Sequence, residues 1–193
     1  RQPDGYFEVA GGWRREPGGG PVLIDLINDI DLLLSLVGDI VEVQAVASNA
    51  TRRFPVEDTA ALIFRFANGA LGTFLLSDVA ASPRSWDQTA AEDKSHPAYP
   101  QDDCYHLAGT RGSLSIPSLR LRLFPGEPSW SEPFDETVED VQRSDPLANQ
   151  IDHFAAVIRG RAEPIARGRD GLNTLRVVEA VQRATRTGAV VSL

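Results

Sequence analysis

Several things are scarce in this sequence, and each scarcity removes a class of chemistry. Of its 193 residues one is cysteine, three are histidine and none is methionine. A lone Cys104 excludes an internal disulfide and a cysteine-based zinc site, and it predicts a reducing, cytoplasmic setting. Neither His-Glu-x-x-His nor a paired-His metal spacing occurs, so no metal site is expected. No Gly-x-Ser-x-Gly elbow is present to support a serine nucleophile. Basic charge is short as well: 19 Lys and Arg stand against 27 Asp and Glu, a formal net charge of -8. The resulting pI near 4.9 repels a phosphate backbone, which argues against a nucleic-acid partner. No apolar run approaches the ~20 residues that span a bilayer, so the chain is expected to be soluble with no membrane partner. Met is absent and no basic-then-apolar leader opens the chain at Arg1, from which the natural start is expected to lie upstream.

A nucleotide fingerprint is also missing. There is no Gly-x-Gly-x-x-Gly between a strand and a helix, and no phosphate-loop lysine. Gly18, Gly19 and Gly20 lead into a helix but follow no recognisable strand. This chain by itself is therefore not expected to bind NAD or NADP.

What is present reads as one globular domain, with 42% apolar and 24% charged residues. Residues 1–20, rich in Gly and Pro, predict an N-terminal arm or loop without regular structure, and 21–193 the domain proper. Pro21 suits the first turn of a helix because its missing N–H costs nothing there. From Val22 to Val37 the chain is strongly apolar, with Gly38 placed as a stop. Residues 40–48 alternate like a half-buried strand. Runs at 59–67 and 70–78, joined by Asn68-Gly69, predict a hairpin with a type I′ turn. Residues 81–103, broken by Pro83, Pro97 and Pro100, predict a binding loop without secondary structure. Strands are expected at 105–109, 113–116 and 119–124, an acidic irregular stretch over 125–146, helices at 148–158 and 172–186, and a last strand at 189–193. This order predicts an α+β fold: an open, mainly antiparallel β-sheet with helices packed on one face.

Within the first helix, spacings of three and four put Asp25, Asn28 and Asp29 on one face. Charged groups in an apolar helix are costly to bury unless they are paired or line a wet pocket, which makes this face the leading site candidate. A solvent-facing or loop-capping role is the other assignment. In the Pro-broken loop, Trp86, Asp87, Glu92 and His96 offer an aromatic ring and carboxylates for contact with a sugar, or a plain surface excursion. Glu57-Asp58, Arg65 and His153 are assigned to packing and surface pairing.

Pieces spread along the chain resemble one family. They are Trp13-Arg14, Gly18-Gly19-Gly20-Pro21 with the helix 23–34 holding Asp29-Ile30-Asp31, and Val56-Glu57-Asp58-Thr59-Ala60. Further along stand Phe66-Ala67-Asn68-Gly69-Ala70-Leu71-Gly72, Gly109-Thr110-Arg111-Gly112, and a closing helix from Asp170-Gly171 to Thr187-Gly188. Together they resemble the C-terminal domain of the glucose-fructose oxidoreductase, inositol dehydrogenase and MocA-like (Gfo/Idh/MocA) oxidoreductases. The resemblance implies an NAD(P)-dependent dehydrogenase acting on a sugar, inositol or related polyol. The cofactor would be carried by an N-terminal Rossmann domain that is absent here, so the fragment alone is expected to be inactive. It implies a homodimer or homotetramer formed through the sheet face. It also points to Asp25 and Asn28 as the catalytic candidates; Arg14 and Asp29, together with Trp86 and Glu92 from the Pro-broken loop, are the candidate substrate contacts. The family's proton-transferring His falls at Asn28 when the register is anchored on Asp29-Ile30-Asp31, or at Asp29 when it is anchored on Asp25; neither is an imidazole. A non-catalytic dimerisation or ligand-binding module, a redox-silent homologue, is the competing expectation.

Overall fold

The computed structural model describes residues 1–95, 97–142 and 144–193. Its contacts group into two compact units, Arg1–Ala81 with Ile165–Leu193, and Ser82–Pro164.

The first unit is built on a four-stranded antiparallel sheet in the order β3-β2-β1-β8, from β1 (Ile40–Ser48), β2 (Thr59–Phe66), β3 (Leu71–Ser77) and β8 (Val191–Ser192). Alternation dictates which residues of β2 go inside: Ala60, Leu62, Phe64 and Phe66 are buried while Ala61, Ile63 and Arg65 are exposed. Three helices cover the buried face: α1 (Pro21–Ile24), α2 (Leu26–Val37) and α5 (Gly168–Thr187). Leu26 and Ile30, four apart on α2, have no exposed surface, and Val178, Val181 and Ala184 of α5 are sealed in the same way. Fully burying a Val, Leu or Ile side chain stabilises the fold by roughly 1.5–3 kcal/mol.

Two local expectations are corrected here. The hairpin between β2 and β3 does not use a type I′ turn, which needs positive φ at both central residues. Only Gly69 has it, at +90°, and the amides of Gly69 and Phe66 bond the carbonyls of Phe66 and Ala70. That pattern is a three-residue connection closed by a left-handed glycine. The arm before residue 21 is also not irregular: Asp4–Phe7 and Val9–Arg15 form short 3₁₀ helices. They are held by packing, since Phe7 is buried and its ring lies 5.4 Å from that of Phe54.

The second unit carries its own antiparallel sheet, ordered β4-β5-β6-β7, from β4 (Tyr105–Ala108), β5 (Gly112–Ile116), β6 (Arg120–Leu123) and β7 (Asp135–Val138). The α+β class therefore holds, with the strands shared between two sheets. β7 lies in the stretch expected to be irregular. All of its residues are exposed, so it shows no burial alternation, and ion pairing marks it instead: Arg122 Nε donates to Glu136 Oε2 at 2.7 Å across the β6–β7 ladder. The loop over 81–103 contains a short helix, α3 (Trp86–Ala90), whose N-cap Ser85 accepts from the Gln88 amide. α4 (Pro146–Ile158) starts from Asp145, whose carboxylate accepts from the Leu147 and Ala148 amides. α5 begins at Gly168, ahead of the expected 172, because Asp170 reaches back to the Arg167 N–H at 2.7 Å.

Candidate functional site

The expected single helix from 22 to 37 is two. Asp25, with φ of -109°, separates α1 from α2. Its carbonyl accepts from the Asn28 backbone N–H at 3.1 Å and from Asn28 Nδ2 at 3.3 Å, while its own N–H donates to the Pro21 carbonyl at 3.0 Å. A side-chain amide that competes for a backbone carbonyl tightens the turn locally, and the α-ladder is interrupted there. Asp25 and Asp29 are half-buried and Asn28 is exposed. The structure thus ties the Asn28 side chain to the Asp25 main chain.

The start of α1 is held from a distance. The Val22 N–H donates to Glu57 Oε1 at 2.9 Å, so a carboxylate satisfies one of the orphan amides at the positive end of the helix. Gly20 leaves room for it: a Cβ there would fall on the Glu57 carboxylate. Gly19 lets the arm close in the same way, since a Cβ at that position would meet the backbone of Trp13 and Arg14. Glu57, assigned above to packing and surface pairing, is thus a capping residue. The signal for it in the sequence is a glycine run opening a helix without a Ser, Thr, Asp or Asn cap of its own.

Beside Glu57, Asp58 is buried, and its Oδ2 accepts from the Thr51 and Arg52 amides at 3.0 and 2.9 Å. Arg52 turns inward, donating through Nε to Asp78 Oδ1 at 2.7 Å and through Nη2 to the Gln2 and Asp78 carbonyls at 2.8 and 3.0 Å. Burial pushes the Asp78 carboxyl above the ordinary aspartate range, and the hydrogen bond and charge of Arg52 oppose that shift.

The other candidates lie in distinct surroundings. Arg14 donates through Nη1 to the Tyr6 carbonyl at 3.1 Å, and its guanidinium stacks 4.1 Å from the Tyr6 ring centre and 4.8 Å from that of Trp13. In the second unit Trp86 Nε1 donates to Glu92 Oε2 at 2.9 Å, and the Trp86 ring sits 6.3 Å from Tyr105. The Trp86 indole N–H and the Glu92 carboxylate thus bond each other. His96 lies outside the described residues.

One cleft of the first unit, about 320 Å³, opens between α2 and α5 and is lined in part by Asp31, Ser35, Asp39, Asp170 and Asn173. The Thr174 hydroxyl lies 3.0 Å from both Asp31 Oδ1 and the Asp170 carbonyl, tying the two helices at its edge. None of Arg14, Asp25, Asn28 or Asp29 lines it. Among the described residues, no group of three or more His, Cys, Asp or Glu is arranged to hold a metal ion, and no helix is long and apolar enough to cross a membrane.

A family model, the C-terminal alpha/beta domain of the Gfo/Idh/MocA oxidoreductase family, matches residues 2–193. The chain belongs to that family. Solved structures agree in fold. The aldose-aldose oxidoreductase of Caulobacter crescentus, complexed with glycerol, is 28% identical with a TM-score of 0.66, over 94% of this chain and 50% of that one. The WlbA dehydrogenase of Bordetella pertussis, in complex with NADH and UDP-GlcNAcA, is 24% identical with a TM-score of 0.65, over 100% of this chain and 51% of that one. An oxidoreductase of Agrobacterium radiobacter, with NAD+, L-tartaric acid and magnesium, is 20% identical with a TM-score of 0.66, over 96% and 53%. The chain spans about half the length of these structures. A search of curated proteins found no match.

The glycine run does not form a pyrophosphate site. The helix start that follows the glycine run is occupied by the Glu57 carboxylate, and a pyrophosphate brought there would meet a negative charge. The run also follows a 3₁₀ helix in place of a strand. In this Gfo/Idh/MocA domain Gly19 and Gly20 serve the approach of protein groups.

Proposed function

We propose that this chain is the substrate-facing domain of an NAD(P)-dependent dehydrogenase for a sugar, inositol or related polyol. The nucleotide would be bound by another part of a longer protein, and the chain alone would not turn over. The observation that carries this reading is the Asp25–Asn28 pair, set at a break between two helices and backed by an apolar core. Family membership over residues 2–193 and the likeness to an aldose-aldose oxidoreductase support the substrate class. A reducing cytoplasm is part of the same reading.

The roles follow from side-chain chemistry. A carboxylate at Asp25 accepts hydrogen bonds from polyol hydroxyls and is the titratable group of the pair. Asn28 donates and accepts but has no proton to exchange near neutral pH, so it orients substrate. Arg14 and Asp29 are further proposed substrate contacts, and Trp86 with Glu92 is a separate proposed contact carried by the second unit by itself.

The exposed face of the first sheet supplies the proposed oligomer surface. Val46 and Ile63 are 65% and 50% exposed, and Leu71 and Leu75 are 69% and 73% exposed. Apolar groups concentrated on one face mark an interface, here that of a homodimer or homotetramer.

The test is turnover by the protein with its nucleotide-binding half, across a panel of sugars and polyols with NAD and NADP. Tight cofactor binding with no oxidation of any panel member would sink the enzyme reading. It would leave the non-catalytic module, which one observation favours: Asn28 stands at a proposed catalytic position and spends an amide N–H on the Asp25 carbonyl. Asp25→Ala and Asn28→Ala separate the two, since only an enzyme loses turnover.

A further inference from the structure

Glu57 is 35 residues from Val22 in sequence, yet its carboxylate is the group that satisfies the Val22 amide at the first turn of α1. Three observations make this contact a fixed support. Asp58, the next residue, is buried and anchored at several points: its N–H donates to the Ser48 carbonyl at 2.8 Å, its carbonyl accepts from Asp78 N–H at 3.0 Å, and its carboxylate accepts two amides. Glu57 therefore projects from backbone that cannot drift. Gly20 lacks the Cβ that would collide with the Glu57 carboxylate, so the two positions are complementary in shape. Finally, α1 is only four residues long and gives way at Asp25, so it has too few ladder bonds to define its own position.

We infer that Glu57 is a positioning residue for the proposed substrate site: it fixes α1, and through α1 the place of Asp25 and Asn28. Gly20 is glycine so that this carboxylate can reach the helix. The inference rests on the reading of Asp25 as a substrate contact. A misplacement of the Asp25 carboxylate by about 1 Å is enough to lower turnover by up to about 100-fold.

The experiment has two arms. In the 193-residue chain, hydrogen exchange at the Val22 amide is compared in wild type, Glu57→Ala, Glu57→Gln and Gly20→Ala. Glu57→Ala and Gly20→Ala should each speed exchange by about 10-fold, and Glu57→Gln, which keeps an acceptor oxygen, should restore most of the protection. Gly20→Ala should add nothing in a Glu57→Ala background, because both act on one contact. In the protein with its nucleotide-binding half, kcat and KM are measured with inositol, glucose and glycerol as probes. Glu57→Ala should move them in the same sense as Asp25→Ala, with NAD(P)H affinity unchanged and with rescue by Glu57→Gln. Wild-type exchange in Glu57→Ala overturns the inference, as do additive effects of the Gly20 and Glu57 changes. Wild-type kinetics in Glu57→Ala alongside impaired Asp25→Ala overturns it too. If neither variant changes the kinetics, the substrate reading falls and the positioning role falls with it, while the exchange arm still reports the tether separately.

Discussion

Arg52 and Asp78 form a buried ion pair, Nε to Oδ1 at 2.7 Å, with side chains 6% and 7% exposed. The same guanidinium holds the Gln2 carbonyl and covers the Phe7 ring at 4.1 Å, so one side chain ties the arm to the end of β3 and to the loop before β2.

Removing one partner leaves the other charge buried without compensation. Asp78→Ala is expected to cost roughly 3–5 kcal/mol in urea denaturation. Arg52→Ala should in addition free the arm, visible as new protease cleavage within residues 1–16. Equal protease resistance in wild type and Arg52→Ala would refute the latch.

The pair also predicts a pH dependence of stability. Burial raises the Asp78 carboxyl, against the pull of Arg52, so the folded chain keeps this proton to higher pH than the unfolded one. The contribution of this titration is fully present below the unfolded value and is lost as pH rises through the raised one. Urea denaturation of wild type and Asp78→Asn from about pH 3 to pH 7 should show the wild-type advantage shrinking as pH rises through the acid range. An advantage that grows with pH contradicts it.

Leu26 is the first residue of α2 and has no exposed surface. Leu26→Ala should destabilise the chain by roughly 2–5 kcal/mol, the range for emptying a packed aliphatic site. A calorimetric shift corresponding to much less would mean that α2 is loosely seated.

Asn28→His places an imidazole where the family resemblance expects one. In the protein with its nucleotide-binding half, turnover should rise and acquire a pH inflection near ~6.5, the ordinary histidine value. A pH profile unchanged from wild type would show that this position does not exchange protons with substrate.

On the outer face of the first sheet, Leu75 is opposite Ala61, and Ile63 is opposite Thr73. Leu75→Glu should dissociate the proposed oligomer in light scattering while leaving the helical circular dichroism signal in place. A wild-type chain that is already monomeric at micromolar concentration removes that interface.

Much of the fold is legible along the chain because its cause is local. The alternation of residues 40–48 and 59–66 needs only a two-residue period, and the presence of α4 and α5 needs only a helical one, although their first turns are set by the Asp145 and Asp170 caps. β7 carries no such signal, because Glu136 is recruited by Arg122 across the ladder and no residue of the strand is buried. The candidate site is half legible: spacing puts Asp25 and Asn28 on one face, but nothing in the spacing marks the break at Asp25 or the role of Glu57.

The sequence by itself determined the α+β class of this protein and which faces of its elements are apolar, and its resemblance to known relatives pointed to the Gfo/Idh/MocA family. Periodicity and turn chemistry act over a few residues and need no partner. Tertiary structure alone decided that Glu57 caps a helix 35 residues away, that Arg52 pairs with Asp78, and that Thr174 reaches Asp31 across 143 residues. Each of these is a polar group drawn from water and satisfied only by what folding brings beside it, so its identity depends on the packed core and not on its neighbours in the chain.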